Sequence, residues 1–124
     1  MPSTYYTKEH EWVTIEGNSA SVGITDFAAH QLGDITFVEL PAVGKTVKQF
    51  DVLCGIESVK TASDIYAPVS GKVVAVNAAL NDTPEVVNES PEEAAWMARL
   101  EITDPAETSK LMDRDQYLEY LKGL

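Results

Sequence analysis

The 124-residue sequence contains one cysteine, so no disulfide can close within the chain, and this sparing use suits a reducing compartment. No apolar run approaches the about 18 residues of a membrane span. The opening stretch, MPSTYYTKEHEW, has no apolar segment behind a basic start and no arginine-rich character, so neither a signal nor a transit peptide is expected. Basic residues are scarce: nine Lys and Arg stand against 20 Asp and Glu, for a formal net charge of −11. That surplus argues against nucleic acid or an anionic membrane as partner and favours basic patches on other proteins. No glycine-rich phosphate loop follows a strand. The two histidines, His10 and His30, lack ligand spacing to each other or to Cys54, so no metal site is indicated. His30, near the end of its helix, suits the dipole there. Cys54 has no histidine paired with it in sequence and shares a strand face with Val52 and Ile56, as a small core residue would.

Hydrophobic residues make up 44% of the chain, enough for one core in a domain of this size. Residues 1–124 are therefore expected to form a single domain. Strand patterns fill the first hundred positions. EWVTI (Glu11 to Ile15) and SASVGI (Ser19 to Ile24) read as a hairpin around EGN. TDFAAHQLG is a short helix capped by Thr25 or Asp26 and stopped by Gly33. DITFVELP alternates, with Ile35 and Phe37 opposite Thr36 and Val38. GKVVAVN is apolar on both faces, as a sandwiched strand should be. TPEVVN predicts a helical turn with Thr83 as cap and Pro84 first, and SPEE (Ser90 to Glu93) reads as a capping box. WMARLEI then places Trp96, Ala98, Leu100 and Ile102 on one face. From about residue 105 to 124, Leu111, Tyr117, Leu118 and Leu121 recur at roughly helical spacing, predicting a helical tail packed on the sheet and stopped near Gly123. A shift of 27 residues lays Pro41, Gly44, Lys45 and Val47 on Pro68, Gly71, Lys72 and Val74. Such a repeat fits two similar halves related by a pseudo-two-fold. The expected fold is mainly β: a flattened barrel or sandwich of two sheets, with hammerhead-like halves, short helices and the helical tail.

One stretch stands apart. In GIESVKTASDIYAPVSGKVVAVN, Lys60 falls between two strand-like segments, the first ending near Ser58 and the second beginning near Asp64. The reversal lacks the Asn-Gly or Asp-Gly of a two-residue turn. The acids Glu57 and Asp64 flank it. A lysine at a hairpin tip commonly serves solubility; it can also be an amine held out for acylation, on stiff strands that fix its geometry.

The surrounding residues resemble the H-protein family of the glycine cleavage system over nearly the whole chain. The resemblance is carried by YTKEHEWV (Tyr6 to Val13), VGITDFA (Val22 to Ala28), LGDITFVELPAVG (Leu32 to Gly44), IESVKTASDIYAPVSGKV (Ile56 to Val73), Val87-Asn88, and the Ser-Pro ahead of Trp96. The resemblance implies lipoate attached covalently to Lys60. It implies recognition of the tip through Glu57, Ser58, Val59, Thr61 and Asp64, and docking of the loaded arm at Glu11, with Asp64 as second candidate. Without it, Glu11 and Trp12 would read as edge-strand charge and core aromatic. A cytoplasmic, monomeric carrier of bacterial type is implied, with no catalytic residues of its own. It would carry the aminomethyl group from glycine decarboxylase to aminomethyltransferase, be reoxidised by dihydrolipoamide dehydrogenase, and be served by a lipoyl-attaching enzyme. Biotin carriers flank their lysine with methionine, where this chain has Val59 and Thr61. Two other roles remain open: a relay donating lipoate to other carriers, and an unmodified interaction module with Lys60 simply solvated. The sequence departs from the family where many members read SPYGxGW; here Ser90-Pro91-Glu92-Glu93-Ala94-Ala95-Trp96 adds two acids. Lys72 replaces a common Glu.

Overall fold

The computed structural model describes residues 3–124; Met1 and Pro2, part of the expected domain and of the opening stretch read above, lie outside the described residues. Nine strands are present among them: β1 (Ser3–Tyr6), β2 (Glu11–Glu16), β3 (Ser19–Ile24), β4 (Ile35–Glu39), β5 (Thr46–Val47), β6 (Val52–Ser58), β7 (Ala62–Tyr66), β8 (Gly71–Val76) and β9 (Ala98–Ile102). Helix α1 (Asp26–Leu32) follows β3, the short α2 (Ala79–Asp82) and α3 (Val86–Glu89) lie between β8 and β9, and α4 (Arg114–Lys122) closes the chain after a 3-10 turn over Pro105–Lys110. The strands form a six-stranded sheet, β1-β2-β3-β9-β8-β5, and a three-stranded sheet, β4-β6-β7, every pairing antiparallel. Their inner faces share one core containing Val13, Val22, Val38, Leu53, Ile56, Val69, Val73 and Leu100. The result is the expected flattened two-sheet sandwich.

Local grammar accounts for most elements. The β2–β3 hairpin turns on Gly17 at φ 63°, a left-handed conformation that glycine adopts without strain. Thr25 caps α1, its hydroxyl oxygen accepting the Ala28 N–H at 3.3 Å, and Gly33 at φ 79° ends the helix. Asp113 and Gln116 form a reciprocal capping box at α4, satisfying donors that the first turn leaves open. The repeat also has a structural counterpart. β5 pairs Thr46 with Lys72; shifted by the repeat this becomes Val73 with Lys45, and the Val73 N–H does donate to the Lys45 carbonyl (2.8 Å). The two copies thus lie on neighbouring antiparallel strands, although Val47 is buried and its counterpart Val74 is exposed.

Several expectations fail for physical reasons. A bulge between Ile35 and Phe37 breaks the alternation of β4, so Ile35 and Val38 are both buried while Phe37 is exposed. β8 is not sandwiched: Val74 faces solvent because only one side of the six-stranded sheet is covered at that point. β7 begins at Ala62, so Asp64 lies within the strand rather than at its start. Pro84 sits in a turn and α3 starts at Val86, while the Thr83 hydroxyl donates back to the Ala79 carbonyl at the end of α2. Ser90 caps through its hydroxyl oxygen, which accepts the Ala94 N–H (3.1 Å), but its own N–H is taken by Val86 and no reciprocal box forms. Trp96 precedes β9 and packs with Tyr6, Trp12 and Tyr117 in a second cluster, Arg99 standing 4.3 Å over its ring. Leu118 is exposed on α4.

Trp12 joins this second cluster to the β2–β3 ladder. Its indole lies across Gly23, and its N–H donates to the Pro91 carbonyl (2.9 Å). A Cβ on Gly23 would sit 2.8 Å from three indole atoms. Gly23→Ala is expected to destabilise the fold by about 1–3 kcal/mol through overpacking. Urea unfolding followed by tryptophan fluorescence checks this; an unchanged midpoint would contradict it.

Candidate functional site

The tip between β6 and β7 explains why no glycine is needed to turn the chain. The Ser58 N–H donates to the Thr61 carbonyl (2.8 Å), and the Ser58 hydroxyl oxygen accepts the N–H groups of both Lys60 and Thr61 at 3.2 Å. A serine side chain thus does what a left-handed Asn-Gly pair does elsewhere. Val59, Lys60 and Thr61 are left exposed on a link whose amides are already paired. The lysine stem leans over Gly33 at the end of α1: a Cβ there would lie 3.3 Å from Lys60 Cε. Of the neighbours singled out from sequence, Ser58 builds the turn, and Val59 and Thr61 form it. Glu57 and Asp64 are exposed on the outer face of the three-stranded sheet, Asp64 also bordering the groove described next.

Between α1 and β7 runs a groove of about 210 Å³ with Leu32, Ala28, Ile56 and Ile65 along its walls. Glu11 lies at its inner end and is 2% exposed, which rules out the reading of an ordinary edge-strand charge. The Thr7 hydroxyl donates to Glu11 Oε1 (2.5 Å) and the Tyr66 N–H donates to Glu11 Oε2 (3.2 Å). Burial pushes this carboxyl up to about 7; the two hydrogen bonds favour the ionised form and offset burial only in part, while Glu9 nearby adds to the rise. From Ala62 at the tip to Tyr66 beside Glu11 is four residues of strand, about 13 Å at the usual rise.

The turn carrying Glu11 is fixed from both sides. The Glu11 N–H donates to Thr7 Oγ1 (3.1 Å), and the preceding residue, His10, takes φ 69°. His10 Nδ1 lies 2.9 Å from the Tyr117 hydroxyl, which also bonds Thr25 Oγ1 at 2.8 Å, so α4 braces the turn. Burial lowers the pKa of His10. Cys54 is buried and its thiol is pushed up to about 12, mainly by burial, which keeps it protonated and inert. Two partners of Glu11, Thr7 and the Tyr66 amide, were given no role in the sequence; both lie in stretches that carry the family resemblance, but a matching letter does not show which carboxylate it bonds. The added acid Glu92 has a structural role as well: its Oε2 accepts the Asp26 N–H at the start of α1 (2.9 Å), and Oε1 lies 3.9 Å from Arg114. A carboxylate at a helix N-terminus is favourable.

A two-sheet sandwich with an exposed lysine on a hairpin tip is the architecture of a lipoyl- or biotinyl-type carrier domain. Comparison with known proteins narrows this. The glycine cleavage H-protein family model matches residues 4–123. The chain is 57% identical over 117 residues to the glycine cleavage system H protein of Brevibacillus brevis, covering 94% of this chain and 93% of that one. It is 52% identical over 122 residues to that of Staphylococcus epidermidis, covering 98% and 97%. The crystal structure of a glycine cleavage system H protein from Mycobacterium marinum superimposes with a TM-score of 0.84 at 35% identity, covering 98% of each chain. This chain belongs to the glycine cleavage H-protein family.

The raised carboxyl makes a pH prediction. Glu11 binds its proton more tightly folded than unfolded, so between its ordinary value of 4.5 and about 7 the folded state holds more protons. Its contribution therefore favours folding at low pH and is lost as pH rises through about 7. Relative to Glu11→Gln, the wild type should lose stability between pH 5 and pH 8 by on the order of 2–3 kcal/mol. Denaturant titrations of both proteins at the two pH values measure this; a constant difference would refute the raised value.

Proposed function

We propose that Lys60 carries a lipoyl group in amide linkage, and that the groove between α1 and β7 receives the loaded arm with Glu11 at its far end. As a member of its family, the chain is the lipoyl-bearing shuttle of the glycine cleavage system, a carrier and not itself an enzyme. The observation that carries the assignment of the site is the pairing of an exposed amine on a hydrogen-bonded tip with a buried carboxylate about four strand residues away. When bound, the lipoyl group would supply a disulfide that opens as glycine is decarboxylated, one sulfur taking the aminomethyl unit from glycine decarboxylase to aminomethyltransferase and the other becoming a thiol, with dihydrolipoamide dehydrogenase reoxidising the dithiol left after transfer.

The residues fit such a group. The aliphatic walls of the groove match an acyl chain, and their burial by it excludes water from its far end. A cationic amine arriving beside Glu11 favours the carboxylate over the acid, because the attraction acts in a partly desolvated site. Thr7 and the Tyr66 amide hold both carboxylate oxygens still, so little reorganises on docking. At the tip, Ser58 presents Lys60, and Glu57, Val59, Thr61 and Asp64 offer the lipoyl-attaching enzyme a shallow acidic surround. The net charge of −11 suits basic docking faces on the enzymes it visits. No helix among the described residues is long and apolar enough to cross a membrane. By analogy with the bacterial relatives it matches, we propose a cytoplasmic carrier acting as a monomer.

Natively expressed protein should carry one lipoyl group and Lys60→Arg none, since arginine keeps the charge but offers no amine to acylate. Intact-mass and peptide mass spectrometry decide this. Lipoate on Lys45, Lys72 or another lysine of the wild type, or none at all, would overturn the assignment.

A further inference from the structure

The tip is tied to the body of the protein by a backbone bond outside its own hairpin: the Val59 N–H donates to the Asp34 carbonyl at 3.0 Å. Asp34 sits at the corner between α1 and β4, where Gly33 turns the chain at φ 79°. One side chain grips both sides of that corner. Asn88 Oδ1 accepts the Ile35 N–H (2.8 Å), and Asn88 Nδ2 donates to the Gly33 carbonyl (2.8 Å). Its acceptor and its donor are thus spent on the two peptide groups flanking Asp34, which sets the direction of the Asp34 carbonyl between them. Asn88 is itself anchored, because its neighbour Val87 in α3 is fully buried in the core. The same corner carries the lysine stem, since Gly33 leaves room for Lys60 to lie across it.

From this continuous path we infer that Asn88 is a positioning residue for the modification of Lys60. The inference rests on the reading of Lys60 as the attachment site. The side-chain amide transmits the position of the core, through Gly33, Asp34 and Ile35, to the amide of Val59 and so to the lysine next to it. Asparagine suits the task because a single planar group must accept on one side and donate on the other. Aspartate at this position keeps the acceptor but turns a carboxylate oxygen towards the Gly33 carbonyl. Alanine removes both bonds, leaving the Ile35 N–H unpaired in a part-buried place and the Gly33 carbonyl to solvent. The corner then gains freedom, the Val59 bond opens more often, and the lysine spends less time in the geometry an acylating enzyme engages. Displacements of about 1 Å at a reacting group are enough to lower rates strongly.

The test compares wild type, Asn88→Ala and Asn88→Asp, each at a temperature where circular dichroism shows it folded. Amide hydrogen exchange is followed by NMR, and modification by a purified lipoate–protein ligase with lipoate and ATP is followed by intact mass. In Asn88→Ala, exchange at Val59 should quicken while core amides such as Val13 and Leu100 keep wild-type protection, and kcat/KM for lipoylation should fall at least roughly tenfold. Asn88→Asp should fall between the two, and it carries the test alone if the alanine variant does not fold. A folded variant modified at the wild-type rate, or one whose Val59 exchange is unaltered, overturns the positioning role while leaving Lys60 as attachment site. Wild-type protein that takes no lipoate on Lys60 overturns both.

Discussion

A carboxylate buried at the inner end of a groove is the constraint around which this small domain is arranged. An acid 2% exposed is costly unless its oxygens are paired, and the pairs come from two separate places: the Thr7 hydroxyl in the turn before β2 and the Tyr66 amide at the end of β7. Each sheet contributes one partner, so the carboxylate spans the seam between them. The turn that carries Glu11 is in turn held by Tyr117 through His10 and Thr25. The C-terminal helix, far from the lysine tip in sequence, thereby bears on the same seam. Tyr6 stacks on Tyr117 at 4.6 Å and Arg114 donates to the Tyr6 hydroxyl, which extends the brace to the edge strand.

The two ends of the groove are built by the same device. At the tip, Ser58 accepts two backbone N–H groups; at the corner beneath it, Asn88 accepts one and donates to a carbonyl; at the inner end, Glu11 accepts the Tyr66 N–H. In each case a side chain rather than a regular ladder satisfies the main chain where the strands stop. Such bonds specify orientation, and at the part-buried Ile35 and Tyr66 amides they carry energy too, because an unpaired buried peptide group costs more than the bond contributes when made. A carrier needs both ends placed: the tip for the enzymes that load and unload it, the inner end for the time between.

Much of this was legible in the sequence where local chemistry decides the outcome. The hairpin around Gly17, the Thr25 cap, the Gly33 stop and the α4 helix follow from turn and capping residues acting on their immediate neighbours. Two failures in the strands share a cause. The bulge beside Phe37 and the exposure of Val74 depend on which sheet lies opposite, and nothing in an apolar run reports that. At the site, Lys60 and Glu11 could be singled out by family resemblance, but the burial of Glu11 could not. That burial arises from residues 55 positions apart meeting across the seam. Asn88 was visible only as a matching letter, because its bonds run to a corner 55 and 53 residues earlier. The segment from Ser90 to Ala95 looked like an isolated helical turn, yet its carboxylate Glu92 bonds the first N–H of α1.

The central claim is that Glu11 is the resting place of a cationic arm. Its ionisation reports this directly. Carboxyl 13C NMR of the side chain, titrated with pH in the lipoylated protein before and after loading with glycine and the decarboxylase, follows the one group at issue. Before loading, the midpoint should lie at about 7. After loading, the nearby cation should move it towards the ordinary carboxylate range. A midpoint that does not move on loading would contradict the account.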